Sequence, residues 1–356
     1  MLTSGFPGAR CLNIFLAHFV IPSTSKLKQL SDFWKDLNRP FFLLAPMEDV
    51  TDTVFRELVM SVSSGNHLRV LFTEFTSVDG ICHPKGRDAV IHRLMVNASE
   101  RKILGELNAR LVVQIWGNDP EKFFEASRFI KDNYRFDGID INMGCPAEKI
   151  VKQGSCSALI GQHTRVSEII QAVREGSGMP VSVKTRTGLR EHTTESWITH
   201  LLQCKLSAIT LHARTQRAMS LKPAEWNQVA LAVKLRNSIT PEVKLIGNGD
   251  VADMYHGLKL IESTGADGVM IGRGIFSDPW FFNNASLERN RHEKLQLLRK
   301  HINLFRDTWP VGKNFNILKR FFKIYVHGFD GAASLRAQLM ETTRPETAIQ
   351  IIEENL

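Results

Sequence analysis

The chain has 356 residues, 43% hydrophobic and 23% charged, with a net charge of +8. That composition excludes a disordered chain, and no apolar run approaches the ~20 residues a membrane-spanning helix needs. Five scattered cysteines (Cys11, Cys82, Cys145, Cys156, Cys204), an odd number without a CxxC pair, suggest neither a disulfide framework nor a zinc site; the expectation is a reducing, cytoplasmic setting, with no metal and no membrane.

Residues 1–25 hold one Arg, no acid and a short apolar run from Leu12 to Ile21, broken by Asn13 and His18. A leader peptide, an unstructured extension and a misassigned start all fit. Leu27–Leu37 reads as a short helix before Arg39-Pro40, so residues 1–38 form an N-terminal extension, flexible apart from that helix.

From Phe41 a short apolar strand, a polar or glycine-rich strand end and a helical stretch recur. The predicted strands are Phe41–Met47, Val70–Phe75, Leu111–Trp116, Gly138–Met143, Val181–Thr187, Ala208–Ala213, Lys244–Asn248 and Gly268–Gly272. Helical patterns such as Pro120–Asn133 and Val166–Glu175 intervene. Eight alternating units predict a (β/α)8 TIM barrel over residues 39–285; an open doubly wound sheet would carry a GxGxxG after its first strand, which is absent.

The strand ends are polar. Gln114, Asn142, Lys184, His212 and Asn248 each close a predicted strand. Alternation puts Asp140 with Asn142, Ser182 with Lys184 and Arg186, and Thr210 with His212 and Arg214 on common faces. In a barrel such ends form the active-site mouth, and five polar groups converging there are costly without a ligand. The last two strands end in Gly247-Asn248-Gly249-Asp250 and Gly272-Arg273-Gly274, loops suited to a phosphate-bearing cofactor. The fourth strand ends in Asn142-Met143-Gly144-Cys145-Pro146, where glycine permits an unusual backbone angle and one thiol is presented. Alone, such a cysteine is more often a small buried residue.

Beyond residue 285 the pattern turns helical. Leu298, Ile302 and Phe305 form one apolar stripe and Leu318, Phe321, Phe322 and Tyr325 another. Between Arg289 and Lys323 ten Lys/Arg stand against two acids, a surplus equal to that of the whole chain. Residues 286–356 therefore read as a small helical domain with a basic face for a polyanion.

These stretches together resemble the tRNA-dihydrouridine synthases, a family of FMN-dependent enzymes. The match runs through Ala45-Pro46-Met47-Glu48-Asp49-Val50-Thr51-Asp52, Gln114-Ile115-Trp116-Gly117, Asp140 to Pro146, Val183-Lys184-Thr185-Arg186-Thr187-Gly188, Leu211-His212-Ala213-Arg214-Thr215 and the two glycine loops. The tail, with Phe329-Asp330-Gly331-Ala332, resembles the family's RNA-binding domain. The resemblance implies FMN at the mouth, with Pro46, Met47 and Glu48 lining the ring, Gln114 bonded to it and Lys184 at its N1/O2 edge. It implies His212 at the flavin or its phosphate end, and Asn248, Gly249, Asp250, Gly272 and Arg273 around the phosphate. Asn142, Arg186 and Arg214 would face the substrate, a uridine of tRNA. NADPH would be the reductant, Cys145 the acid that protonates C5, and the protein a monomer. A general acid must hold its proton, so an ordinary thiol acidity is expected of Cys145. Two positions depart from the family: Cys156, expected to be a small buried residue, where Gly or Ala is commoner, and Asp49 where many relatives carry Gly.

Three other readings stay open on the residues. One is an FMN barrel acting on a free pyrimidine, similar to dihydroorotate dehydrogenase, which leaves the basic tail without a use. Another is a non-catalytic RNA-binding protein, against which the full polar mouth argues. A Schiff-base aldolase using Lys184 would leave Gln114 and the glycine loops unexplained.

Overall fold

The computed structural model describes residues 31–64, 67–283, 288–309 and 313–356. Residues 1–25 and residues 27–30 of the Leu27–Leu37 helix expected from sequence fall outside these; within the part inside, Phe33–Asp36 forms a single 3-10 turn.

Eight parallel strands follow: β1 Phe41–Leu44, β2 Leu68–Phe72, β3 Arg110–Trp116, β4 Gly138–Met143, β5 Val181–Arg186, β6 Ala208–His212, β7 Lys244–Asn248 and β8 Gly268–Ile271. They lie in the order β2-β1-β8-β7-β6-β5-β4-β3, and pairing of β2 with β3 closes the cylinder. A two-residue strand, Thr76–Ser77, adds to the C-terminal end of β3. The predicted ends of β1 and β2 overrun the ladder, because at Ala45 and Thr73 the backbone turns into the loops that build the mouth.

Helices α1 Thr53–Ser61, α2 Ala98–Glu106, α3 Pro120–Asn133, α4 His163–Ser177, α5 Thr194–Gln203, α6 Trp226–Ile239 and α7 Met254–Thr264 connect consecutive strands. Local chemistry sets their ends. Asp52, Asp119 and Asp253 accept N-terminal backbone N–H groups of α1, α3 and α7, and Pro120 occupies the first turn of α3. Gly178 and Gly265 stop α4 and α7 in left-handed conformation.

Side-chain alternation divides the buried apolar residues in two. Outward residues such as Ile139, Ile141, Val183, Ile209 and Leu211 pack against the helices. Inward ones, Phe41, Leu43, Val70, Phe72, Val112, Ala208, Ile246 and Met270, fill the cylinder together with Phe33, Trp34 and Leu37. Phe33 reaches the first residue of β4, since a Cβ on Gly138 would lie 3.4 Å from its ring. The strands' N-terminal end is thus stoppered, and the packing begins before the boundary drawn at residue 39.

The C-terminal helices α8 Arg291–Thr308, α9 Ala332–Glu341 and α10 Pro345–Glu353 share the outer core of the barrel. Every residue of the two predicted apolar stripes is buried. Phe55 of α1 stacks on Phe321 at 5.4 Å, and Asp52 accepts from Trp309 Nε1 (3.2 Å) and Lys313 Nζ (2.9 Å). Among the described residues no helix is long and apolar enough to cross a membrane, and no group of three or more His, Cys, Asp or Glu could hold a metal.

Candidate active site

Register brings the polar strand ends into rows. Gln114 pairs with Asp140 and Asp140 with Ser182; Asn142 pairs with Lys184; Arg186 pairs with His212 and His212 with Asn248. The expected convergence of Gln114, Asn142, Lys184, His212 and Asn248 on one mouth is what the barrel delivers.

The Cys145 turn is held from both sides. Asn142 Oδ1 accepts the N–H groups of Gly144 and Cys145, each at 3.0 Å, and Arg186 Nε donates to Gly144 O at 2.7 Å. Gly144, read as permitting an unusual backbone angle, is not at positive φ, and a Cβ there would sit 3.4 Å from Lys184 O. Neither φ nor space demands glycine, so the turn is fixed by its hydrogen bonds.

Cys156 occupies the first position of a 3-10 turn, Cys156–Leu159, that docks under this loop, with Ser157 N–H donating to Cys145 O at 3.3 Å. It is fully buried, as expected, and it is also the thiol that faces Cys145. The influence of the Cys156 thiol lowers Cys145 to about 7, helped by the Ala147 N–H and Arg186 against burial and Glu48. Burial, and then Cys145 itself, push Cys156 far up, so it stays a donor. Against the ordinary acidity expected of Cys145, its surroundings lower the thiol toward about 7. Sequence spacing alone, eleven residues through a turn, could not show the two sulfurs together.

Burial brings the Lys184 ammonium down to about 8, Arg186 adding to this while Asp140 and Cys145 oppose it; its Nζ donates to Asn248 Oδ1 at 3.1 Å. Asn248 Nδ2 in turn donates to Met270 O. His212 is held neutral by burial and by Lys184, Arg186, Arg214 and Arg273, and its Nε2 accepts from Arg214 Nη1 at 3.0 Å. Arg186 and Arg214, expected to face substrate, are largely committed elsewhere. Arg186 Nη1 donates to Thr215 O and Met219 O, while Arg214 Nε donates to Lys222 O and its Nη2 to Asp250. The Asp250 carboxylate, whose Oδ2 also accepts Ala224 N–H, orients Arg214; an anionic acceptor, its side chain would repel a phosphate rather than bind it.

Around the glycine loops, Gly249 adopts φ +125°, where a Cβ would also come within 2.8 Å of Ala224 Cβ. A Cβ on Gly272 would meet only Ala45 Cβ, at an ordinary contact distance of 3.9 Å, and Arg273 is exposed beside it. Across the mouth, Pro46 and Met47 are half-buried, and Glu48 is exposed and paired with Arg93 (3.0 Å). Asp49 has φ +55° and donates its N–H to Glu74 Oε1 at 2.6 Å, leaving buried Glu74 Oε2 without a partner.

The basic tail is less free than its composition suggests. Arg289, Arg299, Arg306 and Lys313 pair with Glu293, Glu353, Asp307 and Asp52. Lys319, expected toward solvent, is half-buried with Nζ on Met340 O. Among the described residues of the tail, Arg291, Lys300, Arg320, Lys323 and Arg344 are exposed without an acidic partner, Arg291 donating to Asn355 Oδ1.

The family model described as dihydrouridine synthase matches residues 43–356. A probable tRNA-dihydrouridine synthase 2 of Bacillus subtilis (strain 168) is 41% identical over 325 residues, 91% of this chain and 96% of that protein. A probable tRNA-dihydrouridine synthase of Staphylococcus aureus (strain COL) is 42% identical over 325 residues, covering 91% and 95%. Among solved structures, a histamine dehydrogenase from Rhizobium sp. 4-9 superimposes with a TM-score of 0.51 at 11% identity over 74% of this chain; this chain spans about half of it (48%), and the likeness shows the barrel fold alone. The order of the strand-end motifs, the closed barrel and the match from residue 43 to the C-terminal residue agree: the chain belongs to the dihydrouridine synthase family.

Proposed function

We propose that the chain reduces the C5=C6 bond of uridines in tRNA to 5,6-dihydrouridine, with FMN held at the barrel mouth and NADPH as reductant. The names of its relatives support the substrate. The mouth suits the cofactor: a Cβ on Gly272 would meet only Ala45, at 3.9 Å, and the exposed Arg273 beside it offers a charge to a phosphate. Lys184 at about 8 keeps most of its charge at neutral pH and would put it against the ring. Gln114 and Asn142 would meet the ring and the uracil, and Pro46 and Met47 would line one side. Bound FMN supplies hydride transfer from NADPH to C6 of the uracil.

Cys145 supplies the proton to C5 and is left as a thiolate. The Cys156 S–H and the Ala147 N–H are placed to receive that charge. Drawing a stacked uridine into the mouth costs a few kcal/mol, which phosphate contacts from Lys300, Arg320 and Lys323 would offset. The observation that carries the reading is the Cys145 turn, clamped by Asn142 and Arg186 among the polar strand ends.

Cys145→Ala tests it. The variant should bind FMN and accept electrons from NADPH at the native rate, yet scarcely make dihydrouridine in tRNA, read nucleotide by nucleotide. Full turnover would move the acid elsewhere. Deleting residues 286–356 is a poor test of RNA dependence, since it would bare Phe55 and the rest of the shared core.

A further inference from the structure

One buried group of the mouth has no part in the chemistry above. Asp140 points inward from β4 with no surface exposed, and Gln114 beside it is equally buried. Its Oδ1 accepts from Ser182 Oγ at 2.6 Å and its Oδ2 from Gln114 Nε2 at 2.7 Å. Gln114 Oε1 accepts from Asn142 Nδ2 at 3.0 Å, and Asn142 Oδ1 accepts the N–H groups of Gly144 and Cys145. Six residues from three strands and one turn thus form a continuous chain.

Its direction follows from the ends. A carboxylate only accepts and backbone N–H groups only donate, so each amide between them has one consistent orientation. Turning either over would set N–H against N–H or oxygen against oxygen, inside a protein interior where such mismatches are costly. The same constraint decides what each amide has to spare: one N–H on Gln114 Nε2 and one on Asn142 Nδ2. Oxidised flavin and uracil both carry ring carbonyls, which such donors suit.

We propose that Asp140 is a positioning residue that acts through Gln114 and Asn142, ordering the Cys145 turn and committing both strand-end amides to present N–H donors to the carbonyl oxygens of a pyrimidine-type ring. The second half of this statement rests on the flavin and uracil reading of the mouth; the first half does not. Burial raises the Asp140 carboxyl to about 6 against the Ser182 and Gln114 hydrogen bonds and the charge of Lys184, so the carboxylate that directs the chain predominates at neutral pH.

The test compares Asp140→Ala with Asp140→Asn, which fills the same space and can still offer Gln114 one oxygen. In Asp140→Ala, hydrogen exchange at the Gly144 and Cys145 amides should quicken at least tenfold while the ladder amides of Ile139 and Ile141 stay within twofold of native. FMN titrated into the apoprotein should bind at least tenfold more weakly, and Asp140→Asn should return both to within about threefold. Native exchange in the turn of folded Asp140→Ala overturns the proposal, as does loosening of turn and ladder together, which marks a merely structural carboxylate. If Asp140→Ala does not fold, Gln114→Met cuts the chain one link further on: quickened turn exchange again supports the proposal and native exchange overturns it. Quickened exchange with native FMN affinity upholds the ordering of the turn and counts against the flavin contact of Gln114, so the two readings fail separately.

Discussion

Replacing Cys156 with glycine should make Cys145 a weaker acid. Glycine suits the +54° φ at this position, so the change removes a sulfur without asking the backbone to move. The Cys156 S–H is the largest influence holding Cys145 at about 7 rather than the ordinary 9.0, and burial acts the other way. Without it the thiol should return to about 9. At pH 7 the thiolate fraction then falls from about one half to about 1%, roughly a 50-fold drop. A more basic thiolate is also a better nucleophile, by about eightfold for two units at a Brønsted coefficient near 0.45. Alkylation of Cys145 by iodoacetamide, followed by mass spectrometry of its peptide, should therefore be about sixfold slower at pH 7 in Cys156→Gly. It should be about eightfold faster at pH 10, the two profiles crossing near pH 8. Cys156→Ser, which keeps a donor, should stay near the native profile. Superimposable profiles, or a constant ratio at every pH, would show that Cys156 does not set the acidity of Cys145.

Turnover should follow the same group. As the acid form of Cys145 is lost, native kcat should fall as pH rises through about 7, and the limb should move upward in Cys156→Gly; an unmoved limb would assign it to another group. Gly272→Ala should leave the thermal midpoint nearly unchanged, because its Cβ meets nothing within 3.9 Å, yet weaken FMN binding by tenfold or more; native FMN affinity would remove the phosphate from that loop. Asp140 offers a stability test with a defined sign. Its folded value, about 6, lies above the ordinary 3.8, so its stabilising contribution is complete below about pH 4 and is lost as pH rises through 6. The midpoint of Asp140→Asn relative to native should accordingly rise between pH 4 and 7, by up to about 3 kcal/mol in stability; a flat difference would mean the carboxyl titrates normally. Converting Lys300, Arg320 and Lys323 to alanine should lower the slope of log affinity for tRNA against log salt by up to about 3, with NADPH-driven flavin reduction unchanged; an unaltered slope would put the RNA on another face.

The barrel was legible because two signals coincide in it, short apolar strands alternating with helical stretches and polar residues at the strand ends. Gln114, Asn142, Lys184, His212 and Asn248 were found by that coincidence alone. Commitments between side chains were not legible. Arg186 and Arg214 read as ligands for substrate because exposed and buried arginines look alike in sequence, and only the fold shows their N–H groups spent on carbonyls and Asp250. Composition likewise gave a basic tail, while Lys313 was drawn inward to Asp52, more than 250 residues away in sequence. The two departures from the family pattern have one explanation. Asp49 and Cys156 both lie at positive φ, the region glycine favours, so relatives with Gly there satisfy the same backbone. Asp tolerates that region well; Cys does so less, and in exchange puts a thiol against Cys145.

The stopper of Phe33, Trp34 and Leu37 has a kinetic consequence. A cylinder sealed at its lower end has one door. On the proposed function a nicotinamide and a uracil would react at one flavin ring behind it and could not occupy that doorway together, so the reductant would leave before the RNA base enters. Steady-state rates varied in both substrates should accordingly give parallel double-reciprocal lines, the pattern of an enzyme that carries its electrons from one visitor to the next.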